Sequence, residues 1–100
     1  SNWIFQQIGN GTWTLQNSAS RGYLNVSGGN TRNGANVQIW DNPSSAHSQW
    51  RIFEVKPGVF VLENAASGKA LNVSGGKVPN GTNVQQWDNP ASSHSQWKLQ

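Results

Sequence analysis

The segment NVQIWDNPSSAHSQW at residues 36–50 recurs as NVQQWDNPASSHSQW at residues 83–97, with only a few substitutions. A second segment, LNVSGG, also occurs twice, at residues 24–29 and 71–76, and the distance between the two kinds of segment is the same in both copies. Self-similarity at a fixed period is the sequence signature of a repeat architecture. The chain therefore contains a tandem duplication that reaches across most of its length.

Tryptophans mark the ends of the duplicated unit at equal intervals, at Trp3, Trp50 and Trp97. These positions divide the chain into repeat one, residues 3–49, and repeat two, residues 50–96. We expect both repeats to belong to a single domain over residues 1–100, because a chain of 100 residues is long enough for only one small domain.

Short apolar runs alternate with polar residues in both repeats, a pattern typical of β-strands. Turn signals separate these runs, at Asn10-Gly11, Asn33-Gly34, Pro57-Gly58 and Asn80-Gly81. The pattern predicts four short strands in each repeat. In repeat one they lie at residues 3–8, 12–15 and 23–26, and the fourth ends at Trp40. In repeat two they lie at residues 52–55, 59–62 and 70–73, and the fourth ends at Trp87. No helical stripe is present in the sequence, so we expect an all-β fold.

The composition narrows the chemistry that the chain can perform. There is no cysteine, which excludes disulfides and thiolate metal sites, and with two histidines and four carboxylates we expect no metal or other cofactor. Charged residues make up only 11% of the chain, while Gly, Asn, Ser and Gln fill the polar positions. Such a surface is suited to hydrogen bonding with neutral polyols.

The distribution of charge and hydropathy also excludes two kinds of partner. The net charge of +3 comes from single, scattered cations, without the cluster that tracks nucleic acid phosphates. No apolar run approaches the roughly 20 residues that span a bilayer, and no charged-then-apolar leader opens the sequence. We expect a soluble protein with neither a nucleic acid partner nor membrane insertion.

The stretch FVLENAASGKALNVSGGKVPNGTNVQQWDNPASSHSQW, residues 60–97, strongly resembles one subdomain of the ricin-B or R-type lectins, also known as family 13 carbohydrate-binding modules. Repeat one matches too, so the resemblance covers essentially the whole chain. It implies a β-trefoil, in which three four-stranded repeats pack around a pseudo-threefold axis. It also implies that the tryptophans at the repeat ends are structural and that Trp13, aligned with Phe60, belongs to the core.

Two departures from the family pattern are visible. The closing Gln-x-Trp of the family reads Ser48-Gln49-Trp50 in repeat one, and Ser-Gln-Trp again in repeat two, so the glutamine is displaced by one residue. The aspartate that grips the sugar in the family is Asn25 in one repeat and Asn72 in the other. An amide lacks the charge-assisted bonds of a carboxylate, so we expect weaker or altered galactose specificity.

A trefoil needs three repeats, and this sequence supplies two. Two repeats alone would leave unpaired backbone groups along open sheet edges. We therefore expect β-trefoil subdomains that are completed by oligomerisation. Three chains could pool six repeats into two closed trefoils, or two chains could pair their open edges as a dimer.

The candidate sugar site of each repeat combines an aromatic platform with short polar side chains, as the C–H face and hydroxyls of a sugar require. The resemblance assigns the platform to Trp40 and Trp87, each at a strand end before Asp-Asn-Pro. The other candidates are two asparagines at the foot of the pocket, two glutamines on its wall and two histidines before the closing tryptophan: Asn25, Asn72, Gln38, Gln85, His47 and His94. Asp41 and Asp88 could supply the missing carboxylate or cap the turn, and we favour the turn.

These features favour a multivalent, non-enzymatic lectin for galactose, N-acetylgalactosamine or lactose type glycans. A glycosidase needs two carboxylates across one substrate bond, but each repeat has a single aspartate, and Glu54 and Glu63 lie in strand segments with no matching pair in repeat one. No nucleophile elbow or phosphate motif occurs. The alternative is a protein-interaction or inhibitor-type trefoil that does not bind glycans.

The sequence also contains four N-glycosylation sequons, beginning at Asn10, Asn25, Asn72 and Asn80. Two of them would place a glycan on a proposed pocket residue. Together with the absence of cysteine, this favours a bacterial protein, or a protein of the eukaryotic cytosol, over an N-glycosylated secretory one.

Overall fold

A computed structural model describes residues 2–9, 11–73 and 83–98. These residues form an all-β structure with short 3-10 turns, as the sequence predicts. The strands are β1 (Trp3–Gly9), β2 (Thr12–Asn17), β3 (Tyr23–Val26), β4 (Val37–Trp40), β5 (Trp50–Lys56), β6 (Val59–Asn64), β7 (Ala70–Val73), β8 (Val84–Trp87) and β9 (Trp97–Lys98). Each repeat contributes four strands, and β9 begins the next unit.

All strands pair antiparallel in one sheet, whose order is β4-β3-β2-β5-β6-β7-β8. In addition, β1 pairs with β2 and β9 pairs with β6. The two repeats meet where Trp13 in β2 pairs with Trp50 in β5, and the same joint recurs where Phe60 in β6 pairs with Trp97 in β9. The duplication in sequence is therefore a duplication of strands and of the joints between units.

The core forms around the tryptophan at the boundary between the repeats. Trp50 is fully buried, and its indole Nε1 donates to the carbonyl oxygen of Leu24 at 3.0 Å. Trp97 is half-buried against the same core and donates to the carbonyl of Leu71, also at 3.0 Å. Trp13 packs against this cluster as well. The structural roles expected for these three residues are confirmed.

The expectation that Trp3 would be buried like its two equivalents is wrong, because 36% of its surface is exposed. All seven residues of β1 are exposed, whereas β5 begins with a buried residue. The cause lies in strand pairing. β5 lies between β2 and β6, while β1 pairs only with β2 within the described residues.

A large open groove lies beside β1. Its volume is about 760 Å³, and it is lined by apolar side chains from both repeats, among them Trp3, Phe5, Ile39, Leu62, Leu71 and Trp97. Strand β9, the start of a third unit, runs along this groove through Trp97 and Lys98. The groove is therefore the exposed side of a barrel that two repeats do not close. Among the described residues, no helix is long and apolar enough to cross a membrane.

Candidate functional site

A short chain of side-chain hydrogen bonds ties the site residues together in each repeat. In repeat one, Gln38 Nε2 donates to Asn25 Oδ1 at 3.0 Å, and Asn25 Nδ2 donates to Ser48 Oγ at 2.8 Å. The cross-strand pairing of Asn25 with Gln38 in β3 and β4 sets up the first of these bonds. We call this arrangement the amide relay.

Repeat two contains the same amide relay. Gln85 Nε2 donates to Asn72 Oδ1 at 3.1 Å, and Asn72 Nδ2 donates to Ser95 Oγ at 2.8 Å. Both asparagines and both serines are buried, while the glutamines are half-buried. The asparagines therefore hold the wall glutamines in place, and the two buried serines, which sequence reasoning missed, hold the asparagines. The available signal was that a serine directly precedes the closing Gln-Trp pair in both repeats.

The tryptophans at the ends of β4 and β8 are exposed, as the sequence predicts. Trp40 is 53% exposed and Trp87 is 39% exposed. Each indole ring is presented at the surface because the chain turns away at the Asp-Asn-Pro segment that follows.

The turn role favoured for Asp41 and Asp88 is wrong. The Asx bonds of these turns are made by the next residues, since Asn42 Oδ1 accepts from Ser44 N at 2.9 Å and Asn89 Oδ1 accepts from Ala91 N at 3.1 Å. Both aspartates are exposed. An Asx turn is closed by the residue two before the donor, and that position is the asparagine here.

The displaced glutamine of the family motif has a role in the same turns. Gln49 Nε2 donates to the carbonyl oxygen of Pro43 at 3.1 Å, and Gln96 Nε2 donates to that of Pro90 at 3.2 Å. Each glutamine thus fastens the loop that follows the exposed tryptophan. Sequence reasoning recorded the displacement but did not identify this function.

The histidines lie in short 3-10 turns before the closing tryptophan. The backbone N–H of His47 donates to Ser45 Oγ, and that of His94 donates to Ser92 Oγ, both at 3.2 Å. The His47 ring packs against Gly29, where an added Cβ would lie 3.5 Å from its Cε1 atom. Its Nε2 atom is buried and has no hydrogen-bond partner within the described residues.

The four candidate residues of repeat two converge on one open cleft of about 220 Å³. Its lining consists of Asn72, Gln85, Trp87 and His94, together with Val73, Asn89 and Ser92. An indole ring, three amides, an imidazole and a hydroxyl therefore surround a space smaller than the roughly 300–1,000 Å³ of drug-sized pockets. In the described part of the chain, no cluster of three His, Cys, Asp or Glu residues could hold a metal ion.

Solved structures of other proteins are similar to this chain over almost its whole length. A designed threefold symmetric protein, ThreeFoil, has 30% sequence identity and a TM-score of 0.93, over 96% of this chain and 69% of that one. An exo-beta-1,3-galactanase from Clostridium thermocellum has 21% identity and a TM-score of 0.93, over 97% of this chain and 21% of that one.

A Polyporus squamosus lectin, bound to Neu5Aca2-6Galb1-4GlcNAc, has 19% identity and a TM-score of 0.79, over 94% of this chain and 33% of that one. The last two structures are similar in fold alone. No curated protein sequence matches the chain.

The family described as "Ricin-type beta-trefoil lectin domain-like" matches this chain over residues 1–87 and again over residues 49–100. The first match spans repeat one and most of repeat two, and the second spans repeat two. The nine antiparallel strands in the described part of the chain and the 69% coverage of a threefold symmetric protein agree with two of three trefoil units. The chain belongs to the ricin-type β-trefoil lectin family.

Proposed function

We propose that this chain is a non-enzymatic lectin that binds galactose-type glycans through one shallow site in each repeat. The observation that carries the proposal is the cleft of repeat two, where Trp87, Asn72, Gln85 and His94 lie around one open space. An exposed indole offers an apolar face to sugar C–H groups, while amides and imidazole both donate and accept hydrogen bonds with hydroxyls.

The amide relay supports a positioning role for Asn25 and Asn72. Each buried asparagine donates one N–H to the serine and accepts one hydrogen bond from the glutamine, so both of these bonds are made within the protein. The half-buried glutamine then presents its carboxamide toward the ligand with a fixed orientation. Because neutral amides replace a carboxylate, we expect each single site to be weak.

Galactose is the sugar that we infer for both sites. The Polyporus squamosus lectin, similar in fold, is bound to a glycan that contains galactose, and the similar Clostridium thermocellum enzyme is a galactanase. Galactose, N-acetylgalactosamine and lactose are therefore the first ligands to test. Several weak sites on one assembly would give the avidity that one site lacks.

A homo-oligomer is the second part of the proposal. The apolar groove that contains Trp3, Phe5 and Ile39 is a surface that water contacts unfavourably, and among the described residues β1, which borders it, pairs only with β2 and has an open edge. Two of the equivalent residues in repeat two, Trp50 and Gln86, are fully buried, and this difference supports the proposal that a further repeat covers the groove. A repeat from a second copy of this chain would cover the groove in the same way.

The alternative function, binding to polypeptide, has one observation in its favour. Phe53 and Val55 are exposed apolar side chains on β5, and neither lines the cleft of repeat two. A protein partner could pack on this strand without any contact with Trp40 or Trp87.

The test is binding to a glycan array, followed by titration with lactose in solution. Trp40→Ala combined with Trp87→Ala should weaken binding at least about tenfold, the equivalent of ~1.4 kcal/mol. Phe53→Ala removes a similarly exposed aromatic that is not a candidate site residue of either repeat, and it should leave lactose binding unchanged. Retention of glycan binding in the double variant contradicts the proposal, and loss of a protein partner in Phe53→Ala alone supports the alternative.

A further inference from the structure

The turn before β4 in repeat one lies on β8 of repeat two. Gly34 N donates to the carbonyl oxygen of Gln86 at 2.9 Å, and Gln86 N donates to that of Ala35 at 3.0 Å. Asn36 and Gln85 form a further antiparallel bridge. The turn of one repeat is thus paired with the strand that carries the exposed tryptophan of the other.

The side chain of Gln86 fixes this turn in place. It is fully buried, and its Nε2 donates to the carbonyl oxygens of Asn30 at 3.1 Å and Arg32 at 2.8 Å. Its Oε1 accepts from Ser67 Oγ at 2.6 Å. A buried amide whose two N–H groups and oxygen are all hydrogen-bonded holds its partners in one geometry, so the turn has a defined position relative to the cleft.

The turn also borders the candidate site directly. A Cβ atom at Gly34 would lie 3.8 Å from Cζ3 of Trp87 and 3.9 Å from Oε1 of Gln85. Any side chain at this position would therefore enter the strip beside the indole ring and the wall glutamine. Glycine leaves this strip open, and its φ of +85° is a conformation that other residues rarely adopt.

We propose that the Asn33-Gly34 turn of repeat one is part of the glycan site of repeat two, so that a sugar lying on Trp87 contacts both repeats. This inference rests on the proposed function. Within the described residues Trp40 has no such turn beside it, and in the proposed homo-oligomer a second copy of the chain would supply one. The greater exposure of Trp40, 53% against 39% for Trp87, and the 43% exposure of Ile39 at the position of Gln86 agree with this difference.

The experiment measures lactose affinity in a Trp40→Ala background, where only the site of repeat two remains. Adding Gly34→Asn should weaken binding about tenfold or more, because the new side chain fills the strip beside Trp87. Asparagine is chosen because it tolerates the left-handed backbone better than other residues. Gly58→Asn is the matched control, since Gly58 has a similar φ of +76° and nothing within 4 Å of an added Cβ.

A second measurement needs no change at the turn. In nuclear magnetic resonance spectra of the Trp40→Ala protein, lactose should shift the backbone amide signal of Gly34 and leave that of Gly58 in place. In the opposite background, Trp87→Ala, the Gly34 signal should not respond to lactose.

The outcomes separate the inference from the function on which it rests. Failure of the Trp40→Ala protein to bind lactose overturns the proposed function and the inference together. Binding that is equally strong with Gly34→Asn, with an unmoved Gly34 amide, overturns only the inference. A tenfold loss in Gly34→Asn with normal binding in Gly58→Asn supports it.

Discussion

Repeat one and repeat two have nearly the same sequence in their last two strands, yet equivalent residues lie in different surroundings. Trp50 is fully buried, while Trp3 is 36% exposed. Gln86 is fully buried, while Ile39 is 43% exposed. The comparison teaches that the repeat sequence determines the strands, whereas the preceding neighbour determines which side chains are covered.

The difference arises at the boundary between the repeats. Trp50, at the start of repeat two, pairs with Trp13 of repeat one, and its indole N–H donates to the carbonyl oxygen of Leu24. Repeat one receives no equivalent unit on its own leading side within the described residues. Three pairs of substitutions can break or sharpen this comparison.

The largest expected effect is that of Trp50→Ala. Truncation of a fully buried tryptophan should lower the free energy of unfolding by about 3–5 kcal/mol, and the indole bond to Leu24 is lost as well. Trp3→Ala, measured in dilute protein, should cost about 1 kcal/mol or less because that ring is exposed. Urea unfolding followed by circular dichroism gives both values, and equal losses would contradict the burial difference.

An intermediate effect is expected at the turn after the second strand of each repeat. Asn64 is fully buried, and its Nδ2 donates across the boundary to the carbonyl oxygen of His47 at 3.0 Å. Its Oδ1 accepts from the backbone N–H groups of Ala66 and Ser67. Asn64→Ala should therefore lower the free energy of unfolding by about 1–3 kcal/mol.

Asn17→Ala is the matched change in repeat one. The Oδ1 of Asn17 makes the same local turn bonds, with the backbone N–H groups of Ala19 and Ser20. Asn17 is only half-buried, and within the described residues no bond across a boundary is lost. In thermal unfolding, Asn17→Ala should lower the free energy of unfolding by less than Asn64→Ala does. An equal decrease in both variants would show that the hydrogen bond across the boundary does not contribute to stability.

The smallest expected effect is a gain in stability from Arg21→Gly. Arg21 adopts a φ of 67°, at the position where repeat two has Gly68 with a φ of 74°. A left-handed non-glycine residue is strained by roughly 1–2 kcal/mol, and the greater entropy of unfolded glycine offsets part of the relief. The melting temperature should therefore rise, by an amount equivalent to up to about 1 kcal/mol.

The reverse change in repeat two, Gly68→Arg, should lower the melting temperature, since it introduces the same strain. A fall in both variants would mean that the Arg21 side chain makes a contact that outweighs its backbone strain. The neighbouring Gly22 should be kept in these experiments, because a Cβ there would lie only 1.9 Å from Cγ2 of Ile39.

Much of the fold followed from the sequence because its signals were local. Alternation of apolar residues and turn dipeptides predicted the strands, and the family resemblance predicted the exposed Trp40 and Trp87 and the buried Trp50. The convergence of Asn72, Gln85, Trp87 and His94 on one cleft agrees with the candidates chosen for repeat two. Their role in binding remains a prediction.

The features that sequence reasoning missed depend on contacts between distant segments. Trp3 is exposed because, among the residues that the structure describes, β1 pairs only with β2, whereas β5 pairs on both sides. No pattern within β1 reveals this difference. In the sequence, Gln86 is only a substitution at the position of Ile39 in repeat one. Nothing in the sequence indicates that Gln86 binds the turn of repeat one. The exception is local: Asn42 rather than Asp41 caps its turn because the backbone N–H of Ser44 lies within hydrogen-bond distance of the Asn42 side chain.

The amide relay also has a consequence for how the protein can be produced. Asn25-Val26-Ser27 and Asn72-Val73-Ser74 are acceptor sequons, and the atom that would carry the oligosaccharide is the Nδ2 that donates to a buried serine. Modification during synthesis would put a bulky, hydrated group where the interior closes. Expression through the endoplasmic reticulum would therefore divide the product into unmodified folded chains and modified misfolded ones, a loss that expression in bacterial cytoplasm avoids.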